Sequence, residues 1–346
     1  MSSYSLSKDL NFVLNHTHTL WDELRDQSVF ITGGTGFFGI WLLESFLWAN
    51  RHLNLNAKAT VLTRNVSAFR KKHSHLFEKP ELDFYEGDIR NFTFPSKNFS
   101  YIIHAATDAS ATLNQNNPIL MFDTILEGTK RILEFARVCE TKKFLFISSG
   151  AVYGRQPPEI THLAEEYIGI PSIYDSKSAY AIGKYSAEHI CYLYAKQHNL
   201  DIKIARCFAF VGPYLPLDIH FAIGNFIRDG LSGGPIRIAG DGTPHRSYLY
   251  AADLMIWLWT ILFRGETLRP YNVGSGESVS IEELARVVAS TFEPNLKVEI
   301  AKAANPSVLP ERYVPNVDRA KEELGLIPRI SLIDAINSTK RYALSI

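Results

Sequence analysis

Val29-Phe30-Ile31-Thr32-Gly33-Gly34-Thr35-Gly36-Phe37-Phe38-Gly39 decides how this chain folds. A short apolar and β-branched run ends in three glycines spaced three apart, Gly33, Gly36 and Gly39, and a helical pattern over 40–49 follows at once. The spacing predicts a strand, a tight turn and a helix start. Glycine lets the backbone turn sharply and approach a pyrophosphate, whose charge is favoured by the amides and dipole of the helix start. A purely structural glycine turn is the alternative, but the flanking strand and helix that a dinucleotide site requires are both present.

Outward from this turn, residues 28–32, 59–63, 101–104, 143–148 and 201–206 read as strands alternating with longer amphipathic segments. That rhythm predicts an α/β fold with a Rossmann-type, doubly wound parallel sheet. After Arg206 the rhythm loosens into Gly- and Pro-rich stretches, which predicts a smaller C-terminal substrate-binding lobe. The expected division is a helical arm over 1–26, a dinucleotide-binding domain over 27–211 and 246–272, and the second lobe over 212–245 and 273–346. Within the arm, residues 7–24 read as one helix of undisclosed role.

The chain has 346 residues, 46% of them apolar, enough to bury a full core. Basic and acidic residues number 36 each, so no bulk field draws it to nucleic acid or to a membrane surface. Any anionic ligand must be held by local charges. Cys139, Cys191 and Cys207 are far apart and odd in number, which suggests neither a disulfide frame nor a metal site. The polar start Ser2-Ser3-Tyr4-Ser5 is unlike a signal peptide, and the apolar run over 254–263 is about half of the roughly 20 residues a membrane span needs. A buried helix and a cytoplasmic location are expected.

The second strand bears on which dinucleotide is bound. An acidic residue at its end hydrogen-bonds the ribose of NAD, but here the strand runs into Thr63-Arg64-Asn65, with Arg70, Lys71 and Lys72 nearby. Arg64 therefore points to a 2′-phosphate and NADP, with NAD the alternative if Arg64 stacks on the adenine instead. Asp88, in Gly87-Asp88-Ile89, is placed to accept from the adenine amino group or else to cap a turn.

Tyr180 and Lys184 lie one helical turn apart on one face, which taken alone reads as a surface pair, but in a site an ammonium there lowers a phenol from about 10 toward the working range. Ser149 falls at the end of a parallel strand, where open α/β sheets place ligands. Tyr174 competes as a tyrosine but has Ser178 at the lysine's position, and reads as a substrate-loop contact.

Together with the glycine turn, His104-Ala105-Ala106, Ser148-Ser149-Gly150-Ala151-Val152-Tyr153-Gly154, Tyr180-x-x-x-Lys184, Gly212-Pro213 and Tyr271-Asn272-Val273-Gly274 appear in an order that resembles the NAD-dependent epimerase/dehydratase family of extended short-chain dehydrogenases. The resemblance runs from about residue 28 to 330. It implies a nucleotide-sugar substrate, with Tyr180 as acid/base, Lys184 on the nicotinamide ribose and Ser149 on the reacting oxygen. The cofactor contacts then expected are Gly33, Gly36, Phe37, Phe38, Gly39, Arg64, Asp88, Ile89, Ala105, Ala106, Tyr180 and Lys184. Family members often dimerise through two helices that include the Tyr-Lys helix, so a homodimer is expected, although Ile190, Leu193 and Tyr194 fit an intramolecular face equally well.

The segments Gly240-Asp241-Gly242-Thr243-Pro244-His245-Arg246 and Pro310-Glu311-Arg312 resemble the family's pyrophosphate-gripping stretches, which implies Arg246 and Arg312 as substrate contacts. Surface salt bridges are the alternative for both arginines. Asn225 is a further candidate phosphate contact. His245 and His220 read as ligands or bystanders, and no metal is expected.

The chain also departs from the family's pattern. The dehydratases follow the catalytic Ser/Thr with Asp-Glu, and the UDP-glucuronate decarboxylases keep the Glu; here these positions are Gly150 and Ala151, neither of which moves a proton. Hydride transfer needs only the cofactor with Ser149, Tyr180 and Lys184, so a 4-ketoreductase or C4 epimerase is expected ahead of a 4,6-dehydratase or decarboxylase. Ala209 and Ile125 also replace the family's usual asparagines. An alternative of another class is a non-catalytic, dinucleotide-sensing binding protein, since fold alone does not fix function.

Overall fold

The computed structural model describes residues 4–106, 111–219 and 221–345. Its centre is a seven-stranded sheet of β1 (Ser28–Thr32), β2 (Lys58–Thr63), β3 (Leu82–Glu86), β4 (Tyr101–His104), β5 (Lys143–Ser149), β6 (Ile202–Cys207) and the strand Pro270–Val273. The spatial order is Pro270–Val273, β6, β5, β4, β1, β2, β3, and every pairing is parallel. The order reverses direction between β1 and β4. A parallel sheet is covered by helices on both faces, which is why these strands are nearly continuous in Val, Ile, Leu and Phe rather than alternating. The doubly wound α/β expectation is therefore met.

The reversal between β1 and β4 opens a crevice at their carboxyl ends. In register, Thr32 faces His104, and Ser149 at the end of β5 faces Cys207 at the end of β6. The glycine turn, His104-Ala105-Ala106 and Ser149 thus gather along one edge. Lys143–Ser149 and Ile202–Cys207 each run one residue beyond the expected strands, which brings Ser149 into the ladder.

The amino-terminal segment joins the main core. Its expected single helix is an α-helix, Ser7–Thr17, followed by a 3-10 turn, His18–Leu24. Leu10, Val13, Trp21 and Leu24 are buried, and the Trp21 and Trp259 rings lie 4.7 Å apart. Trp21 Nε1 donates to the Thr17 hydroxyl at 2.9 Å, so the indole is buried with its polar atom satisfied.

Trp259 belongs to the helix Ala251–Arg264, which is buried on nearly every side. Its Asp253 accepts the amides of Arg329 and Ile330, each at 3.0 Å, and so anchors the carboxyl-terminal segment. Among the described residues no helix is long and apolar enough to cross a membrane. Beyond β6 the strands are short: Phe210–Val211 pairs with Leu249–Tyr250, Ile236–Ile238 with Val298–Ile300, and His245–Arg246 lies between Val279–Ser280 and Arg312–Tyr313.

Candidate active site

The glycine turn is built for close approach. Gly33 sits at φ +73°, and a β-carbon there would stand 2.5 Å from the Ala105 carbonyl carbon, so no other residue fits. Gly39 packs equally tightly, with a β-carbon meeting Gly34 at 2.3 Å, which presses the helix Phe37–Leu53 onto the turn. Gly36 differs, because its β-carbon would meet only the Gly33 carbonyl oxygen, at 3.7 Å. The crowding is behind the turn and the room is in front of it. The first bond of the helix is Ile40 N–H to Gly36 O at 2.9 Å, which leaves the amides before it without helical partners. This cradle fits a dinucleotide pyrophosphate.

Around the cradle, the Ala106 amide donates to the Thr32 hydroxyl at 3.1 Å. That hydroxyl also meets His104 Nδ1 at 2.7 Å, and burial holds the His104 imidazole neutral by pushing its pKa well below the ordinary value. Phe37 and Phe38 start the helix and are partly buried, with Phe38 edge-on to Phe210 at 5.0 Å. Ile89 is buried and packs against Gly128. Arg64 is exposed at the end of β2. Asp88 is already engaged: Arg90 donates through Nε at 2.9 Å, through a terminal nitrogen at 3.0 Å and through its amide at 2.9 Å, and this holds the carboxyl below its usual range. The turn-capping alternative for Asp88 is thus realised, which leaves an adenine contact only its remaining lone pairs.

Ser149, Tyr180 and Lys184 come together at the ends of β5 and β6. The Ser149 hydroxyl accepts the Ala151 amide at 3.2 Å, capping the 3-10 turn Gly150–Tyr153. Tyr180 and Lys184 project from the first turns of the helix Ala179–His198. One turn later, Glu188 accepts the Ser148 hydroxyl at 2.5 Å and a forked pair from Arg206 at 3.0 and 2.6 Å. Helix, β5 and β6 are therefore clamped together directly behind the site. Ile125, in place of the family's asparagine, packs on Gly183 and spaces this helix from its neighbour Pro118–Val138.

The electrostatics differ from the expectation that Lys184 lowers Tyr180. Burial pushes the Tyr180 phenol up, and the Ser149 hydroxyl pulls it partly back as a hydrogen-bond partner. Lys184 instead donates to the Ile147 carbonyl at 2.7 Å and lies over the Phe146 ring at 4.8 Å. Burial pushes its own pKa down to about 8. The resting phenol is thus protonated at neutral pH and is poised as an acid.

The substrate candidates are placed less uniformly. In the parallel pairing Arg312 is opposite His245 and Tyr313 opposite Arg246, so Arg246 shares a strand face with Tyr313 while Arg312 shares the other with His245. The two guanidinium groups do not lie side by side on one face. Arg312 keeps a buried Nε without a partner, and burial together with Arg312 pushes His245 down. Asn225 is half-buried on the helix Ala222–Leu231. Tyr174 is 94% exposed. His220 lies outside the described residues, and among these no group of three or more His, Cys, Asp or Glu side chains gathers as metal ligands.

One site residue escaped the sequence reading. The Tyr313 ring lies tilted against Phe208 with centroids 4.7 Å apart, and burial pushes its phenol up while the nearby Ser149 hydroxyl pulls it partly back. The only signal was its place beside Arg312 in the resembling segment.

The profile of the NAD dependent epimerase/dehydratase family matches residues 29–274. UDP-glucuronic acid decarboxylase 4 of Arabidopsis thaliana is 30% identical over 307 residues, which cover 88% of this chain and 66% of that protein. The chain thus spans just under two thirds of that relative's length. Two solved structures share the fold. UDP-glucuronic acid 4-epimerase of Bacillus cereus, in complex with UDP-glucuronic acid and NAD, has a TM-score of 0.75 at 22% identity over 91% of this chain and 98% of its own. dTDP-glucose 4,6-dehydratase of Bacillus anthracis, in complex with NAD, has a TM-score of 0.75 at 20% identity over 92% and 96%.

Proposed function

The chain belongs to the NAD dependent epimerase/dehydratase family, and from that premise we propose that it is a nucleotide-sugar oxidoreductase exchanging hydride at a sugar carbon, a 4-ketoreductase or C4 epimerase. One observation carries the reading: Ser149, Tyr180 and Lys184 converge, while Gly150 and Ala151 beside them present no carboxyl group. A dinucleotide whose pyrophosphate the glycine cradle would hold would supply hydride to a 4-keto carbon, or accept it from the alcohol. Tyr180 donates its phenolic proton to the keto oxygen in reduction and takes it back in oxidation. Ser149 donates a hydrogen bond to that oxygen as its negative charge grows. Lys184, fixed by the Ile147 carbonyl, has two further N–H donors for the ribose hydroxyls. The raised pKa of Tyr180 starts it as the acid, which favours the reductive direction.

Within this reading Arg64 selects NADP over NAD, and Arg246 holds the substrate diphosphate from the strand face it shares with Tyr313, with Asn225 and Tyr174 at its margins and Arg312 on the opposite face. The exposed Tyr185, Tyr192 and Leu193 on the Tyr180 helix form the face of a homodimer. A second reading, decarboxylation, is favoured by the activity named for the relative at 30% identity. It requires a proton-transfer group next to the sugar that residues 150 and 151 do not supply.

The test offers the purified protein UDP-glucuronic acid, UDP-glucose and UDP-4-keto-6-deoxyglucose, with NADH and NADPH compared side by side. Oxidation of NADPH by the 4-keto sugar, abolished in Tyr180→Phe with dinucleotide binding intact, is expected. An undiminished rate in Tyr180→Phe removes the assignment.

A further inference from the structure

Asn272 stands in the Tyr271-Asn272-Val273-Gly274 stretch, on the edge strand of the main sheet, and is fully buried. The Tyr153 phenol donates to its Oδ1 at 2.8 Å, and its Nδ2 donates to the carbonyls of Leu163 at 2.8 Å and Asn316 at 3.0 Å. Its backbone N–H, on the open side of the strand, donates to Glu165 at 2.8 Å. Every polar atom of the side chain is engaged, and a carboxamide is the group that offers one acceptor and two donors in this arrangement.

These bonds join two parts of the site. On one side, Tyr153 closes the turn Gly150–Tyr153 that Ser149 caps, and the Arg206 guanidinium lies over its ring at 4.8 Å. On the other, the Leu163 amide donates to the Val314 carbonyl at 2.9 Å, and the Asn316 amide to the Leu163 carbonyl at 2.7 Å. The segment leading into Asn316 is the strand Arg312–Tyr313, which pairs with His245–Arg246. One buried side chain thus connects the Ser149 turn to the strand pair that carries Arg246.

We propose that Asn272 is a positioning residue that fixes the spacing between Arg246, which grips the substrate diphosphate, and Ser149 and Tyr180, where the sugar reacts. The proposal rests on the nucleotide-sugar reading for the role of Arg246. A nucleotide-sugar spans both places at once, so a loosened register weakens its binding and misplaces the reacting carbon. The dinucleotide is insulated, because the glycine turn lies at the end of β1, four strands away.

Isothermal titration of the full chain with UDP, dTDP and NADPH tests it. Asn272→Asp keeps the shape and the acceptor for Tyr153 but sets an oxygen against the carbonyls of Leu163 and Asn316. It is expected to bind the nucleoside diphosphate roughly tenfold more weakly, with NADPH affinity within about twofold of the parent. Asn272→Leu, which buries no charge, is expected to show the same split and serves if the aspartate variant does not fold. Equal weakening of both ligands, or of neither, overturns the proposal. In NADPH-dependent reduction of UDP-4-keto-6-deoxyglucose, Tyr153→Phe cuts only the bond to the Ser149 turn and is expected to lower kcat severalfold with KM nearly unchanged. The double variant Asn272→Leu/Tyr153→Phe is expected to be no slower than Asn272→Leu, and additive losses overturn the proposal. A parent chain that binds neither UDP nor dTDP refutes the nucleotide-sugar reading and this proposal with it, whereas a parent and Asn272 variants that bind the same diphosphate equally well refute this inference alone.

Discussion

The ring of Phe208 stands over Gly150, its tip 2.6 Å from where a β-carbon on residue 150 would be. The space beside Ser149 that a side chain on residue 150 would need is closed by an aromatic ring. Restoring the family's aspartate with Gly150→Asp must push Phe208 off Tyr313. A cost of about 1–3 kcal/mol is expected from overpacking, read as a lower thermal midpoint. Shortening the ring with Phe208→Leu in the same chain should recover most of it, and a Gly150→Asp variant as stable as the parent contradicts this packing.

On the proposed ribose contact, Lys184 is expected to set the alkaline limit of cofactor binding. With its pKa pushed down to about 8 by burial, its ammonium is fully charged below neutrality and is lost as the pH rises through that value. Dinucleotide affinity should be flat at low pH and weaken above about 8, where the charged donor to the ribose disappears. Isothermal titration across this range checks it, and Lys184→Met should be weaker throughout with no such step.

His73 makes the fold acid-sensitive. Burial, helped by Lys72, pushes its pKa down to about 4, and its Nε2 is buried without a partner. The unfolded chain titrates this imidazole near 6.5, so between about 4 and 6.5 the unfolded state binds the proton and the folded state does not. Stability therefore falls as the pH drops from 6.5, by about 2 kcal/mol at pH 5. Urea unfolding at pH 7.5 and pH 5 should show this loss in the parent chain and little of it in His73→Gln.

Much of the fold and the core of the site were legible because both rest on local pattern. Five strands could be placed to within a residue by their β-branched runs. Tyr180, Lys184 and Ser149 are singled out by the order of motifs that resembles the family's; helical spacing adds that Tyr180 and Lys184 share a face, and the strand end that Ser149 lies at the crevice. The seventh strand, Pro270–Val273, was legible only as part of a motif, since four residues beginning with proline carry no periodicity. Tyr313 was missed for a related reason: its ring neighbour Phe208 is remote in sequence, and nothing in its own segment marks it. The direction of the Tyr180 shift was misjudged because spacing gives the distance between two side chains but not where each finds its partner. Lys184 turns to Ile147.

The amino-terminal segment is part of the core rather than an appendage. Trp21 is fully buried against Trp259 and Phe263. Trp21→Ala should cost about 3–5 kcal/mol, seen as a large drop in thermal midpoint with dinucleotide affinity preserved below it.

Hydride transfer without elimination is the net chemistry proposed for Ser149, Tyr180 and Lys184. Product mass tests it most directly. When the protein is incubated with UDP-glucuronic acid, UDP-glucose and UDP-4-keto-6-deoxyglucose in the presence of NAD(P)H, the expected products are equal in mass to the substrate or heavier by two hydrogens, and none form with Tyr180→Phe. A product lighter by water or by carbon dioxide contradicts it.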